Sequence, residues 1–164
     1  MKYLLQISLV LTLAISWSGC KKGPQQEIPY RGYITVPAGI NTFLTHNFVI
    51  DNIPGIDVDG IAEARPSYVR LYVEEGEFST DFIREAFLEA TYANNSKRAE
   101  MAYRQDIPID NNRNLDLYPS ILEMKDHIGQ QPSFQVTLKL NLRSIPVTDT
   151  RIRVDFGVLA IYED

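Results

Sequence analysis

Chemistry beyond packing would come here from two histidines, one cysteine and several closely spaced carboxylates. His46 sits in an alternating stretch between Thr45 and Asn47 and reads as a half-exposed strand residue. His127 falls in the last turn of a short helix, where a cation complements the C-terminal dipole. A zinc site needs three or four ligands, and two isolated histidines with no neighbouring thiol do not supply one. A Ser-His-Asp set stays open because its members can lie anywhere in a sequence, but no Gly-x-Ser-x-Gly elbow marks it. Asp57-Val58-Asp59-Gly60, with Asp51 nearby, is a fragment of a calcium loop. The third acid and distal Glu of the full loop are missing. Asp57 and Asp59 are therefore weak metal candidates on what reads as a solvated turn. Glu74, Glu75 and Glu77, and Asp106 and Asp110, are paired acids of the kind a glycosidase sets ~5–9.5 Å apart; a sequence does not give that separation. No catalytic residue and no cofactor is assigned.

Binding has better candidates. Lys139, Arg143, Arg151 and Arg153 alternate with apolar residues along two neighbouring strands, which places a basic stripe on the outward face of a C-terminal hairpin. Cross-strand pairing with acids such as Asp155 is the competing use of those charges. Tyr72 lies opposite Val69, Leu71 and Val73 in the strand alternation and so points to solvent, where tyrosine serves as an interface anchor. Tyr30-Arg31-Gly32-Tyr33 is a second contact point. The formal charge of −5 leaves no global basic footprint for nucleic acid.

Cys20 is the only cysteine, so no disulfide within the chain can form. Before it stand Lys2, a short apolar run from Leu4 to Ile15, and the small residues Ser18 and Gly19. That run has the size of a secretory leader core and is too short to span a bilayer. Ser18-Gly19-Cys20 resembles the lipobox of bacterial lipoproteins, with Trp17 where the common pattern has Leu, a relaxation usual in Bacteroidota lipoproteins. The resemblance implies cleavage before Cys20, diacylglycerol on its thiol and anchoring to a membrane, since two or more acyl chains suffice for stable attachment. Residues 1–19 are then a signal peptide. Residues 20–30 are a lipidated N-terminus and flexible tether, and 31–164 a single domain. Lys21 and Lys22 can touch anionic headgroups at ~1 kcal/mol each. Without an acidic run after the cysteine, the expected site is the cell envelope at the outer membrane, facing the periplasm, with surface exposure as the alternative.

The domain must position whatever face binds. Phe134 to Arg143 alternates strictly, with one buried and one wet face. Arg151 to Tyr162 does the same, with Gly157 as an expected bulge. Thr42 to Ile50, stopped by Asn52-Ile53-Pro54-Gly55, Tyr68 to Val73 and Arg98 to Arg104 are further strands. Tyr33 to Val36 and Ile61 to Ala64 are short edge pieces. Phe82 to Ala93 fits a helix or a strand; the Asn94-Asn95-Ser96 turn favours a short turn or helix at 80–84 followed by a strand from about Ala86. Ser120 and Glu123 spell a capping box for one short helix near 120–128, ended by Gly129. The sum is a mainly β chain: an antiparallel β-sandwich, immunoglobulin-like or a related Greek key.

The body is also similar to small β-sandwich lipoproteins of Bacteroidota, through Phe82-Ile83-Arg84-Glu85, Leu115-Asp116-Leu117 and Lys125-Asp126 within residues 65–164. That likeness implies no activity. The expected function is a membrane-anchored, non-enzymatic binding or assembly module whose partners are the membrane, through its lipid, and another envelope protein, with no nucleic acid. An envelope hydrolase using carboxylates or a Ser/His pair is the alternative. A calcium- or glycan-binding receptor is a further one.

Overall fold

Period-two alternation builds nearly every element of the chain. The structure, a computed structural model, describes residues 23–51, 55–91, 98–129 and 133–163. The leader with Cys20, Tyr92 and the turns Asn52-Ile53-Pro54 and Asn94-Asn95-Ser96 lie outside the described residues. The described strands are β1 (Gln25–Val36), β2 (Phe43–Asp51), β3 (Ile61–Glu75), β4 (Ile83–Thr91), β5 (Arg98–Arg104), β6 (Asn114–Pro119), β7 (Ser133–Leu142) and β8 (Thr150–Tyr162). One helix, α1 (Lys125–Ile128), lies between β6 and β7.

The hydrogen-bonded order is β1-β8-β3-β6-β5-β4-β7-β2, antiparallel throughout. It folds over at β6. The first part of β6 pairs with Val69 to Tyr72 of β3, whereas Tyr118 and Pro119 pair with Tyr103 and Ala102 of β5. Two four-stranded layers result, β1-β8-β3-β6 and β5-β4-β7-β2, which is the strand order of a jelly roll with its two Greek keys. The mainly antiparallel β architecture with a Greek-key path matches the sequence expectation. The strand order is not that of an immunoglobulin-like sandwich.

The inner faces share one core. Ile28, Val69, Leu71, Val154 and Phe156 of the first layer meet Leu88, Met101, Val136, Leu138 and Leu140 of the second. At ~1.5–3 kcal/mol for each large apolar side chain removed from water, this contact holds together a body that has no disulfide. Tyr30 joins the layers, stacked on Phe156 at 5.2 Å and edge-on to Phe134 at 5.5 Å. β1 and β2 end the order without bonding to each other. The Phe48 ring covers Gly32 there, so closely that a Cβ on Gly32 would meet it at 2.8 Å.

Several expectations change. β7 and β8 do not form a hairpin: β7 pairs with β2 and β4, and β8 with β1 and β3. Each has one apolar face, and residues 143–149 carry the chain across the core so that the two faces oppose each other. Gly157 is not a bulge. Inward residues alternate without a break from Thr150 to Ala160, and the register shift lies on β3 between Pro66 and Tyr68. Gly157 is bare because Ser67 and the Tyr68 ring occupy the space a Cβ would need. β1 begins at Gln25, so the stretch expected to be tether up to residue 30 is largely strand. The pieces at 61–64 and 68–73 are one strand, and the ambiguous segment is strand from Ile83. The helix is only Lys125–Ile128. Glu123 does not close a capping box, because its carboxylate accepts from the backbone N–H groups of Ala64 at 3.0 Å and Lys125 at 2.9 Å. Ile121, inside the span expected to be helix, precedes α1 and is 94% exposed.

The pairing fixes which loops share an end. Gln25, Ile61, Pro119 and Tyr162 stand together, the Tyr162 N–H bonding the Pro24 carbonyl at 2.9 Å. Loops 37–42, 76–82, 105–113 and 143–149 form the opposite end and are bonded to one another. Asp81 accepts from the N–H groups of Asp110 and Asn111, Glu77 from Val147, and Asp149 from Ala38.

Candidate functional site

On the outer side of the first layer, alternation turns Arg31 and Tyr33 of β1, Arg151, Arg153 and Asp155 of β8, Tyr68, Arg70, Tyr72 and Glu74 of β3, and Asp116 of β6 away from the core, while Tyr118 stands at the corner where β6 turns to pair with β5. Register arranges them in rows across the strands. One row reads Arg31-Asp155-Arg70-Asp116, alternating in sign, and the next reads Tyr33-Arg153-Tyr72-Asn114. Arg31 bonds Asp155 at 2.6 Å, Arg70 bonds Asp116 at 2.5 Å, and Arg153 reaches Asp155 at 2.9 Å and Glu74 at 3.3 Å. These carboxylate hydrogen bonds hold the Arg31 and Arg70 guanidinium groups above their usual pKa, so these two arginines keep their charge at any physiological pH. Arg151 lies over the Tyr33 ring at 4.7 Å, and Arg153 over Tyr72 at 4.8 Å, both within cation–π range. Tyr68 spreads over Gly157, and partial burial raises its pKa.

The expected basic stripe is thus split. Arg151, Arg153 and Tyr72 come together on this face. Lys139 is on the other layer, bonded to Glu89 at 2.6 Å. Arg143 sits at the loop end, where its guanidinium donates to the carbonyls of Asp81, at 3.0 Å, and Ile107. That braces two loops to each other. The split follows from β7 and β8 lying in different layers. The tetrapeptide at 30–33 divides by strand parity: Tyr30 is core, while Arg31 and Tyr33 join the face. The sequence reading missed Arg70, Asp116 and Tyr118. Period two alone could have placed Arg70 beside Tyr72, but only cross-strand register brings it to Asp155.

At the β6 border of the face a cavity of about 360 Å³ opens, lined by Arg70, Arg104, Asp110, Asn112, Asn114 and Asp116 among others. Its charged groups balance. Arg104 also donates to the Asp116 carbonyl at 2.9 Å and lies over Tyr118 at 5.6 Å.

The other candidates stay apart. His46 faces the rim of the core beside Phe48, at 6.2 Å between rings, and has no hydrogen bond to a serine or an acid among the described residues. His127 is fully buried, and desolvation lowers its pKa. Asp57 accepts from the Gly60 N–H at 3.3 Å, and both Asp57 and Asp59 are exposed. Among the described residues no three His, Cys, Asp or Glu side chains converge to hold a metal ion.

The sequence matches no family model and no curated protein. Among solved structures the chain is similar to the decameric BFDV capsid protein, with a TM-score of 0.44, 7% identity, and coverage of 86% of this chain and 99% of that one. Desmodium yellow mottle tymovirus gives 0.32, 10% identity, 85% and 89%. Tomato aspermy virus gives 0.31, 13% identity, 94% and 93%. At these TM-scores the likenesses carry no argument, and the jelly-roll order rests on the chain's own pairings.

Proposed function

We propose that this protein is a lipid-anchored envelope lipoprotein acting as a non-enzymatic binding or assembly module, tethered through Cys20 at the outer membrane and facing the periplasm. Its working surface is the outer face of the first layer. The observation that carries this reading is the gathering of Tyr33, Tyr68 and Tyr72 with Arg31, Arg70, Arg151 and Arg153 on the outer side of one sheet. Tyr and Arg are the residues in which interface hot spots are enriched. Here the arginines are already held by carboxylates, so docking would order little that is not ordered beforehand. The anchor rests on Ser18-Gly19-Cys20. With β1 starting at Gln25, the intervening chain reaches at most ~17 Å, which keeps the domain close to the bilayer.

The test is capture of the intact protein from its native membrane in mild detergent. A stoichiometric protein recovered with wild type and lost with the Tyr72→Ala/Arg153→Ala double variant is expected. No stoichiometric partner, or one indifferent to that change, would sink the proposal. The anchor is checked separately: globomycin should block processing, and a mature mass without acyl chains would refute lipidation.

A further inference from the structure

We infer that the occupant of this face is a second copy of the same chain, packed face to face about a two-fold axis parallel to the strands and lying between β8 and β3. The inference rests on the outer face of the first layer being a docking surface, and it names the partner.

Rotation about such an axis preserves position along the strands and reverses their order, so β1 meets β6 and β8 meets β3 of the other copy. The row Arg31-Asp155-Arg70-Asp116 then becomes its own complement. Arg31 faces the partner's Asp116, and Asp155 faces the partner's Arg70. In the next row Arg153 faces the partner's Tyr72, and Tyr72 the partner's Arg153, which extends the cation–π contact already present within each chain. A two-fold across the strands fails the same test. It would set each strand against itself, with Arg31 on Arg31 and Asp155 on Asp155. Between these two axes, the charge order favours the one parallel to the strands, as a self-complementary two-fold contact requires. Charge sets register in such an interface, while the tyrosines supply its buried area.

The fold supports the same axis independently. Pro24, which leads into β1, lies at the end that holds Ile61 and Tyr162. A two-fold parallel to the strands brings both N-termini out at one end, so two lipid tethers reach one bilayer. The axis across the strands would send them to opposite ends. Confinement to one membrane raises the effective concentration of each copy for the other.

Two differently tagged full-length copies, co-expressed and solubilised in mild detergent, test this by capture on one tag and detection of the other. Wild type should retain its second copy. Arg70→Asp alone gives a row of +−−−, and Asp155→Arg alone gives +++−. Each clashes with itself, so self-capture should fall at least tenfold. The two variants are complementary at all four positions, so capture of one by the other should return to near the wild-type level. That rescue also shows both variants are folded. Undiminished self-capture of either variant, absence of wild-type self-capture, or no rescue in the mixed pair would overturn the dimer. If a different stoichiometric protein depends on Tyr72 and Arg153 while no second copy is captured, the dimer falls and the binding-module reading stands. If neither a second copy nor any other protein is recovered, both fall.

Discussion

The outer faces of the two layers are made by the same alternation and come out chemically different. At the centre of the second face, Thr137 donates to Asn47 at 2.7 Å, Asn141 donates to Glu85 at 3.1 Å, and Lys139 bonds Glu89 at 2.6 Å. These are short polar ties between neighbouring strands, with most of the groups half-buried. Across the first face run four arginines and three tyrosines, with Tyr33 44% and Tyr68 38% exposed. A sheet face that only meets water needs ties of the first kind. Large planar side chains held over one another by cation–π and bidentate-capable groups go beyond that need, and they are what a recognition surface uses. The difference lies in what each face offers a partner, since both layers contribute to the core.

The most direct way to break this comparison is a matched pair of double variants. Tyr72→Ala/Arg153→Ala should weaken binding at the first face about 30-fold, the ~2 kcal/mol expected of a hot spot. Lys139→Ala/Asn141→Ala on the second face should leave binding unchanged. Equal losses from both, measured by quantitative capture, would erase the distinction. A smaller effect is expected from Gly157→Ala. The new methyl group would enter space held by Ser67 and the Tyr68 ring, displacing the ring and costing about 1 kcal/mol, as overpacking does. Urea unfolding reads the stability, and the same capture assay should show weaker binding because Tyr68 belongs to the face. A variant as stable as wild type with undiminished capture would show that this close fit does not matter.

Tyr30 tests the underside of the same layer. Its hydroxyl is buried without a hydrogen-bond partner among the described residues, and desolvation pushes its pKa up to about 12. An unsatisfied buried hydroxyl costs ~1–3 kcal/mol, while the ring itself packs well against Phe134 and Phe156. Tyr30→Phe should therefore raise stability by about 1 kcal/mol in urea unfolding. A loss of stability would mean the hydroxyl has a role the packing does not reveal.

How far the sequence spoke depends on which physical signal each feature uses. Strands β7 and β8 were legible because their alternation is strict and long. Their partners were not, because period two fixes which side of a strand is buried and says nothing about its neighbour. Sequential strands usually pair, and that prior misled here. β1 was hidden by Pro24, Pro29 and Gly32, residues of loops. Pro29 is tolerated because β1 bonds only to β8 and leaves its other edge open. The capping box failed because Ala64, distant in sequence, claimed the Glu123 carboxylate. Of the binding face, Tyr72, Arg151 and Arg153 could be read from strand parity. The row from Arg31 to Asp116 spans β1, β8, β3 and β6, and only their register assembles it.

The gentlest effect expected lies outside both faces and sharpens the contrast with the first. Arg31 and Arg70 there are held above their usual pKa by their carboxylate partners, so binding through them should not change between pH 5.5 and 7.5. His127 is the contrasting case. It is buried in α1, which packs on β3 and β7 at the end of the sandwich that holds Pro24 and Tyr162. Burial lowers its pKa from 6.5, and the charges of Asp126 and Glu123 oppose the shift without reversing it. Above pH 6.5 the imidazole is neutral in both states and folding carries no protonation penalty. As pH falls below 6.5 the unfolded chain takes up the proton first, so stability declines until the folded histidine is also protonated. Urea midpoints measured at pH 7.5 and 5.5 should fall in wild type and fall less in His127→Gln, which keeps a polar group of similar reach but cannot titrate. Because carboxylates contribute their own slope at lower pH, the informative quantity is the difference between the two proteins. Identical slopes would mean that proton uptake by His127 on unfolding is not what weakens the fold in mild acid.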